Sequence, residues 1–297
     1  AVVGEFLAVW LLEGHGGQCQ DDEPAGMDPQ GNAADRQQLP SLTHARSATP
    51  ADPRKDLTMR LPAMAAWPIQ PLVPRPWLKV CGLRCPDQAA AVARLGASAI
   101  GVIGVPSSPR WLEPAARSEL FRAVTTARPN CLGVLVVADP ADDQLGDLQP
   151  GLGHNVVQLH GGESPSRCAE LRRVLGSDLA LWKALRIRSR DDLAQVCAFA
   201  PHVDAVLLDA WVPDQLGGTG HRIPIEWLEG FRPAVPWWLA GGLRADRVTP
   251  TLTALASAPP DGLDASSGVE RAPGDKDLGR VAELVAAVAA FRQDHSS

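Results

Sequence analysis

Between residues 77 and 270 the chain alternates short, unbroken apolar runs with stretches whose apolar positions recur every three or four residues. The runs are 77–82 (WLKVCG), 99–105 (AIGVIGV), 131–137 (CLGVLVV), 155–160 (NVVQLH), 179–186 (LALWKALR), 204–209 (DAVLLD), 236–241 (PWWLAG) and 262–266 (GLDAS). Continuous rather than alternating apolarity marks strands covered on both faces, as in a parallel sheet. The intervening segments carry helix signals. Ser164 offers a capping oxygen before Pro165, and Gly176 closes the apolar set Leu171, Val174 and Leu175. Ser189 with Asp192 resembles a capping box ahead of Leu193, Val196 and Phe199. A last helix is predicted over 276–292, with Val281, Leu284, Val285 and Val288 on one face. Eight strand–helix units in roughly 215 residues predict the small end of the (β/α)8 barrel range. The alternative, a doubly wound open sheet, usually places its glycine turn after the first strand, whereas here such turns crowd after strands six to eight.

Residues 13–76 lack that texture. They are rich in Pro, Gln, Asp, Ala and Gly, and Pro68, Pro71, Pro74 and Pro76 stiffen the approach to the first strand. The expected organisation is therefore a disordered or loosely attached extension over 1–76 and a catalytic barrel over 77–297. The apolar stretch 6–12 (FLAVWLL) is too short to span a bilayer and follows Glu5 rather than a basic segment, so it fits a secretory signal poorly.

Composition narrows the function classes. The formal charge is −6 and no run of Lys and Arg could track a phosphate backbone, which argues against nucleic-acid binding. Six cysteines are scattered without a Cys-x-x-Cys pair, so neither a zinc framework nor a dense disulfide scaffold is expected. A reducing cytoplasm is the simplest reading, with most thiols acting as small buried apolar groups.

The chemistry-bearing residues cluster at strand ends. A phosphate dianion needs several converging backbone N–H donors, and glycine lets the chain approach closely enough. Gly241-Gly242 follows strand seven, Ser266-Ser267-Gly268 follows strand eight, and Gly217-Gly218-Thr219-Gly220 follows strand six. Any one of these alone reads as an ordinary tight turn, but three on consecutive loops favour a phosphate grip. Lys79 and Cys81 share a face of strand one. A Lys facing a barrel interior needs an anion, which Asp264 or Asp209 could supply, and its ammonium should favour the Cys81 thiolate. Asp209 ends strand six, where barrel enzymes place catalytic groups. Arg110 in the loop after strand two suits a substrate carboxylate, although a solvated loop Arg is the plainer reading. His160 ends strand four and either lines the pocket or bonds within its loop. His154, His202 and His221 lie outside comparable positions, so no metal site is expected.

Taken in order, Lys79-Val80-Cys81-Gly82-Leu83, Ser108-Pro109-Arg110, Gln158-Leu159-His160-Gly161, Leu208-Asp209, Gly217-Gly218-Thr219-Gly220, Gly241-Gly242-Leu243, Ser266-Ser267-Gly268-Val269-Glu270 and Pro273-Gly274-Asp275-Lys276-Asp277 resemble the phosphoribosylanthranilate isomerase family across about residues 77–292. The resemblance implies a cofactor-free Amadori rearrangement of a phosphorylated small molecule in tryptophan biosynthesis. It implies Asp209 as acid at the furanose oxygen, Cys81 as base at the second ribose carbon, Arg110 at the anthranilate end, and Asp264 near the substrate. Lys79 and His160 complete the expected substrate contacts. A monomer is expected, with a dimer as the alternative. Departures from the family pattern are Trp111 for the usual Tyr, Val137 for the usual Asn, and a longer segment over 221–227. Two other readings are a non-catalytic phosphate-binding barrel and a histidine-pathway aminoaldose isomerase. The latter group usually employs two aspartates, and Cys81 tells against it.

Overall fold

The structure, a computed structural model, describes residues 74–210 and 222–294. Eight strands form a closed parallel ring in sequence order: β1 (Trp77–Cys81), β2 (Ala99–Ile103), β3 (Leu132–Val137), β4 (Val156–Leu159), β5 (Ala180–Ile187), β6 (Ala205–Ala210), β7 (Trp237–Ala240) and β8 (Gly262–Ala265). The ring closes where β1 pairs with β8, bringing Lys79 opposite Asp264. The helices between strands are α1 (Pro86–Leu95), α2 (Pro114–Ala127), α3 (Pro165–Leu175), α4 (Val196–Phe199), α5 (Ile225–Leu228) and α6 (Ala245–Ala254), with α7 (Leu278–Asp294) at the end. This is the (β/α)8 architecture that the eight apolar runs predicted. Their boundaries fall within two residues of the observed strands.

Each strand divides its side chains between two apolar layers, which explains the absence of polar alternation. Leu78, Val80, Ile100, Val102, Leu181 and Leu208 face the helices, whereas Trp77, Ala99, Val134, Trp182, Leu207 and Trp238 fill the lumen. Three indoles dominate that lumen. Trp182 and Trp238 have centroids 4.7 Å apart, and Trp77 and Trp238 lie 6.0 Å apart. Such bulk on one side demands small residues on the other. Gly262, in register with both Trp77 and Trp238, supplies the space, and a Cβ there would overlap the Trp238 ring.

The helix signals fared unevenly. Ser164 caps α3 by accepting from the Arg167 amide, and Pro165 opens it. Cys168, Leu171 and Leu175 form its buried stripe, but Val174 is 50% exposed, because it falls on the flank of that stripe. The Ser189 backbone amide donates to the Asp192 carboxylate as the capping pattern suggested, yet the segment Arg190–Gln195 winds as a 3-10 helix before the single turn of α4. In α7 the buried face is Val281, Leu284, Val288 and Phe291, with Val285 only partly covered.

Arg75 and Pro76 are tied onto the barrel. Arg75 pairs with Asp261, and the Pro76 carbonyl accepts two bonds from Arg292. Among the described residues no helix is long and apolar enough to cross a membrane.

Replacing Gly262 with Ala should cost about 1–3 kcal/mol of stability through overpacking against Trp238. Urea denaturation checks this, and an unchanged midpoint would show that the lumen can yield.

Candidate active site

The C-terminal ends of the strands frame an open cleft of roughly 730 Å³. Cys81 from β1, Arg110 from the loop after β2, His160 after β4, Asp209 from β6 and Asp264 from β8 all line it. So do Gly241, Gly242, Ser266 and Ser267, which follow β7 and β8. The strand-end residues singled out above are thus brought to one mouth. Lys79 is the exception: fully buried, it lies outside the cleft lining. Gly268 also lies outside it, packed so closely against the Leu243 carbonyl that no Cβ would fit. Gly218, Thr219 and Gly220 fall outside the described residues.

Lys79 resolves the choice of partner left open above. Its Nζ donates to Asp264 Oδ2 at 3.0 Å. Burial alone would lower its pKa, but Asp264 and Cys81 together outweigh that, so the ammonium is held above the ordinary lysine value. The expected thiolate at Cys81 is not what results. Burial pushes the Cys81 thiol up, Lys79 draws it back only in part, and Asp264 adds to the rise. Desolvation outweighs the pull of the ammonium on the sulfur, and the Asp264 carboxylate offsets part of that pull. Asp264 is itself pushed up by burial and by Asp209, against the pull of Lys79.

Backbone freedom matters at two places beside the thiol. A Cβ on Gly101 would lie 2.6 Å from Cys81 Sγ, so glycine there leaves the sulfur its space. Gly82 adopts φ +85°, and a Cβ on it would meet the Arg110 side chain at 2.6 Å. Gly241 and Gly242 also take positive φ, +103° and +57°, which side chains disfavour.

Arg110 is not a free loop cation. Its Nε and Nη2 grip Glu270 with a shortest distance of 2.7 Å, leaving Nη1 without a partner among the described residues. Glu270 also accepts 2.6 Å from Lys276 Nζ and 3.0 Å from the Gly274 amide. Although burial alone would raise it, these donors hold the Glu270 carboxyl below its usual range. The carboxylate therefore anchors two cations and sets where Arg110 stands.

His160 lines the cleft, with Nε2 3.6 Å from Asp209 Oδ2, beyond hydrogen-bond reach. Gln158, buried on β4, bonds through Nε2 to His160 Nδ1 at 3.1 Å and holds the ring in the cleft wall. Sequence reasoning quoted Gln158 and Glu270 inside motifs but assigned them no role. The available signal was a polar residue inside an apolar strand run, where burial obliges it to find a partner. Gln158 Oε1, His160 Nε2 and Asp264 Oδ1 are buried without hydrogen-bond partners.

The other thiols divide. Burial pushes Cys131 up to about 12 and Cys168 up to about 11, so both are inert packing groups. Cys85 and Cys197 are exposed, whereas Cys81, Cys131 and Cys168 are buried, so most of the described thiols are buried as expected.

A parallel barrel with a thiol, carboxylates and glycine turns around one mouth defines an acid–base barrel enzyme. Comparison with known proteins specifies which. Residues 78–287 match the family model described as N-(5'-phosphoribosyl)anthranilate isomerase. The enzyme of that name from Microcystis aeruginosa is 43% identical over 216 residues, covering 72% of this chain and 98% of the relative. The one from Synechococcus elongatus is 45% identical over 212 residues, covering 71% and 95%. The crystal structure of phosphoribosyl anthranilate isomerase from Thermus thermophilus superposes with a TM-score of 0.61 at 27% identity, covering 73% of this chain and 100% of that one. The chain belongs to the N-(5'-phosphoribosyl)anthranilate isomerase family.

Glu270→Gln should cost about 3 kcal/mol at neutral pH, since it leaves Lys276 and Arg110 buried without their shared anion. The folded-state pKa is depressed, so the wild-type advantage is fully present above the unfolded value of about 4.3 and fades as pH falls through the folded one. Urea denaturation at pH 7 and near pH 3 checks this, and an equal gap at both would contradict it.

Proposed function

We propose that Cys81 and Asp209 are the base and acid of an Amadori rearrangement converting N-(5'-phosphoribosyl)anthranilate to 1-(2-carboxyphenylamino)-1-deoxyribulose 5-phosphate. The chain is an isomerase of tryptophan biosynthesis. The observation that carries the residue roles is the placement of both groups on one cleft, under a rim of Gly241, Gly242, Ser266 and Ser267.

Asp209 donates a proton to the furanose ring oxygen as the bond from that oxygen to C1 breaks and the nitrogen lone pair forms a C1=N iminium. The Cys81 thiolate then removes the C2 proton. The released pair forms C1=C2 and neutralises the nitrogen. The enol O–H proton leaves, C1 gains one, and the ketone results. The enol O–H proton restores Asp209 and the proton held by Cys81 passes to C1. Both groups are thereby reset, and substrate and product are isomers, with no external oxidant or cofactor required. The iminium cation forms beside Cys81, where its charge offsets the burial that otherwise resists ionisation.

Substrate positioning follows from the unpaired polar atoms. Arg110 Nη1 faces the anthranilate carboxylate, while Gln158 Oε1, His160 Nε2 and Asp264 Oδ1 meet ribose hydroxyls. Lys79 serves from below, holding Asp264 rather than touching substrate. Phosphate is held by the amides of Gly241, Gly242, Ser266, Ser267 and Gly268, together with Gly218, Thr219 and Gly220. Binding at that far rim holds the sugar in a reactive pose.

The finer assignments rest on the same picture. A monomer is the proposed assembly, with a dimer as the alternative. The five cysteines among the described residues are free thiols, which supports a cytoplasmic setting. The family match over residues 78–287 supports a catalytic domain over 77–297.

Cys81→Ala and Asp209→Asn should each lower turnover on the order of a hundredfold or more without unfolding the chain, followed by the loss of anthranilate fluorescence. Near-full activity in either would overturn its role. In the parent enzyme kcat/KM should keep rising between about pH 7 and 9, because the thiol pKa is raised above its usual value. A plateau reached below pH 7 would contradict a thiol base.

A further inference from the structure

A second recess, of roughly 160 Å³, lies beside the catalytic cleft. Val105 and Ala138 border both, but Gly104 and Val137 turn the second one toward the helix layer, behind the ends of β2 and β3. Its walls include Pro106, Pro140 and the exposed indole of Trp111. Into it faces Arg117, which nothing in the isomerase mechanism uses.

Arg117 is an anomaly of placement. It lies on the core-facing side of α2 with Leu120, Phe121 and Val124, and is 8% exposed. Its Nε donates to the Leu112 carbonyl at 3.0 Å, while Nη1 and Nη2 have no partner among the described residues. Asp147 at the recess edge is the acidic group whose charge it feels, yet the two form no ion pair. Partial burial lowers its pKa, and the charge of Asp147 offsets only part of that. The helix start adds to the positive field. Pro114, the first residue of the 14-residue α2, borders the recess; the N-cap, Glu113, makes no side-chain capping bond, and the first turn itself holds no acidic residue.

We propose that this recess is a second ligand site, taking a small aromatic carboxylate whose two oxygens meet Nη1 and Nη2 of Arg117. With Nε already committed to Leu112, the remaining edge of the guanidinium presents two parallel N–H groups, the spacing a planar carboxylate accepts. Proline, Val137 and indole surfaces suit a flat apolar body. Asp147 at the rim disfavours a dianion such as phosphate. Because the recess shares Val105 and Ala138 with the catalytic cleft, its occupancy bears on the loops after β2 and β3, including the one that carries Arg110.

The test follows the indole N–H resonance of Trp111 in the full chain, identified by its disappearance in Trp111→Phe. Titration with benzoate should shift it saturably, whereas inorganic phosphate should leave it in place. Arg117→Met should weaken the benzoate response at least tenfold. Arg117→Lys, which keeps the charge but loses the two-pronged edge, should weaken it several-fold. Both variants should keep the parent isomerase rate without benzoate. A wild-type resonance that does not respond up to tens of millimolar benzoate overturns the proposal, as does an unchanged benzoate affinity in either variant. A response to phosphate at lower concentration than to benzoate also overturns it.

Discussion

The site is built on one buried ion pair. Lys79 and Asp264 meet where the first and last strands join, so the contact that closes the barrel also fixes the charge beneath its mouth. Neither group could be left alone in that interior, since an unpaired buried charge costs several kcal/mol. Their register opposite one another lets each answer the other. Cys81, two residues along β1, is buried beside this pair, and burial, with Asp264 offsetting part of the pull of Lys79, keeps its thiol a thiol at rest.

That compensation changes how the chemistry must be understood. A free lysine beside the sulfur would draw the thiol further toward thiolate. In the mechanism proposed above, a compensated lysine would leave Cys81 latent as a base until substrate brings its own positive charge at the nitrogen. Arg110 obeys the same economy on the other side of the cleft. Glu270 and Lys276 hold it in place, and only one of its terminal nitrogens remains unpartnered. In both cases a carboxylate outside the reaction sets the position of a cation near it, and the strength of that hold depends on burial.

Arg117 stands apart because its charge has no such partner. The same rule that explains Lys79, Lys276 and Arg110 (a buried cation is matched by a buried anion) makes the exception informative. On the core face of a helix, Arg117 opens two terminal nitrogens with no partner among the described residues onto a recess where an anion would meet them.

How much was legible beforehand follows from the range of each physical rule. Unbroken apolar runs, glycine-rich turns and the placement of Cys81 and Asp209 at run ends are local properties, and they were enough to predict the eight-stranded barrel and most of its mouth. Val174 escaped because a helix stripe has a flank that one-dimensional spacing does not resolve. Gln158 and Glu270 escaped because their partners, His160 and the pair Arg110 and Lys276, are chosen by packing. The sequence by itself determined which residue types reach which strand end, since strand period and turn chemistry act over a few neighbours. Only the tertiary structure decided which charges cancel, because pairing Lys79 with Asp264 across 185 residues depends on ring closure, and a pKa depends on everything that surrounds the group.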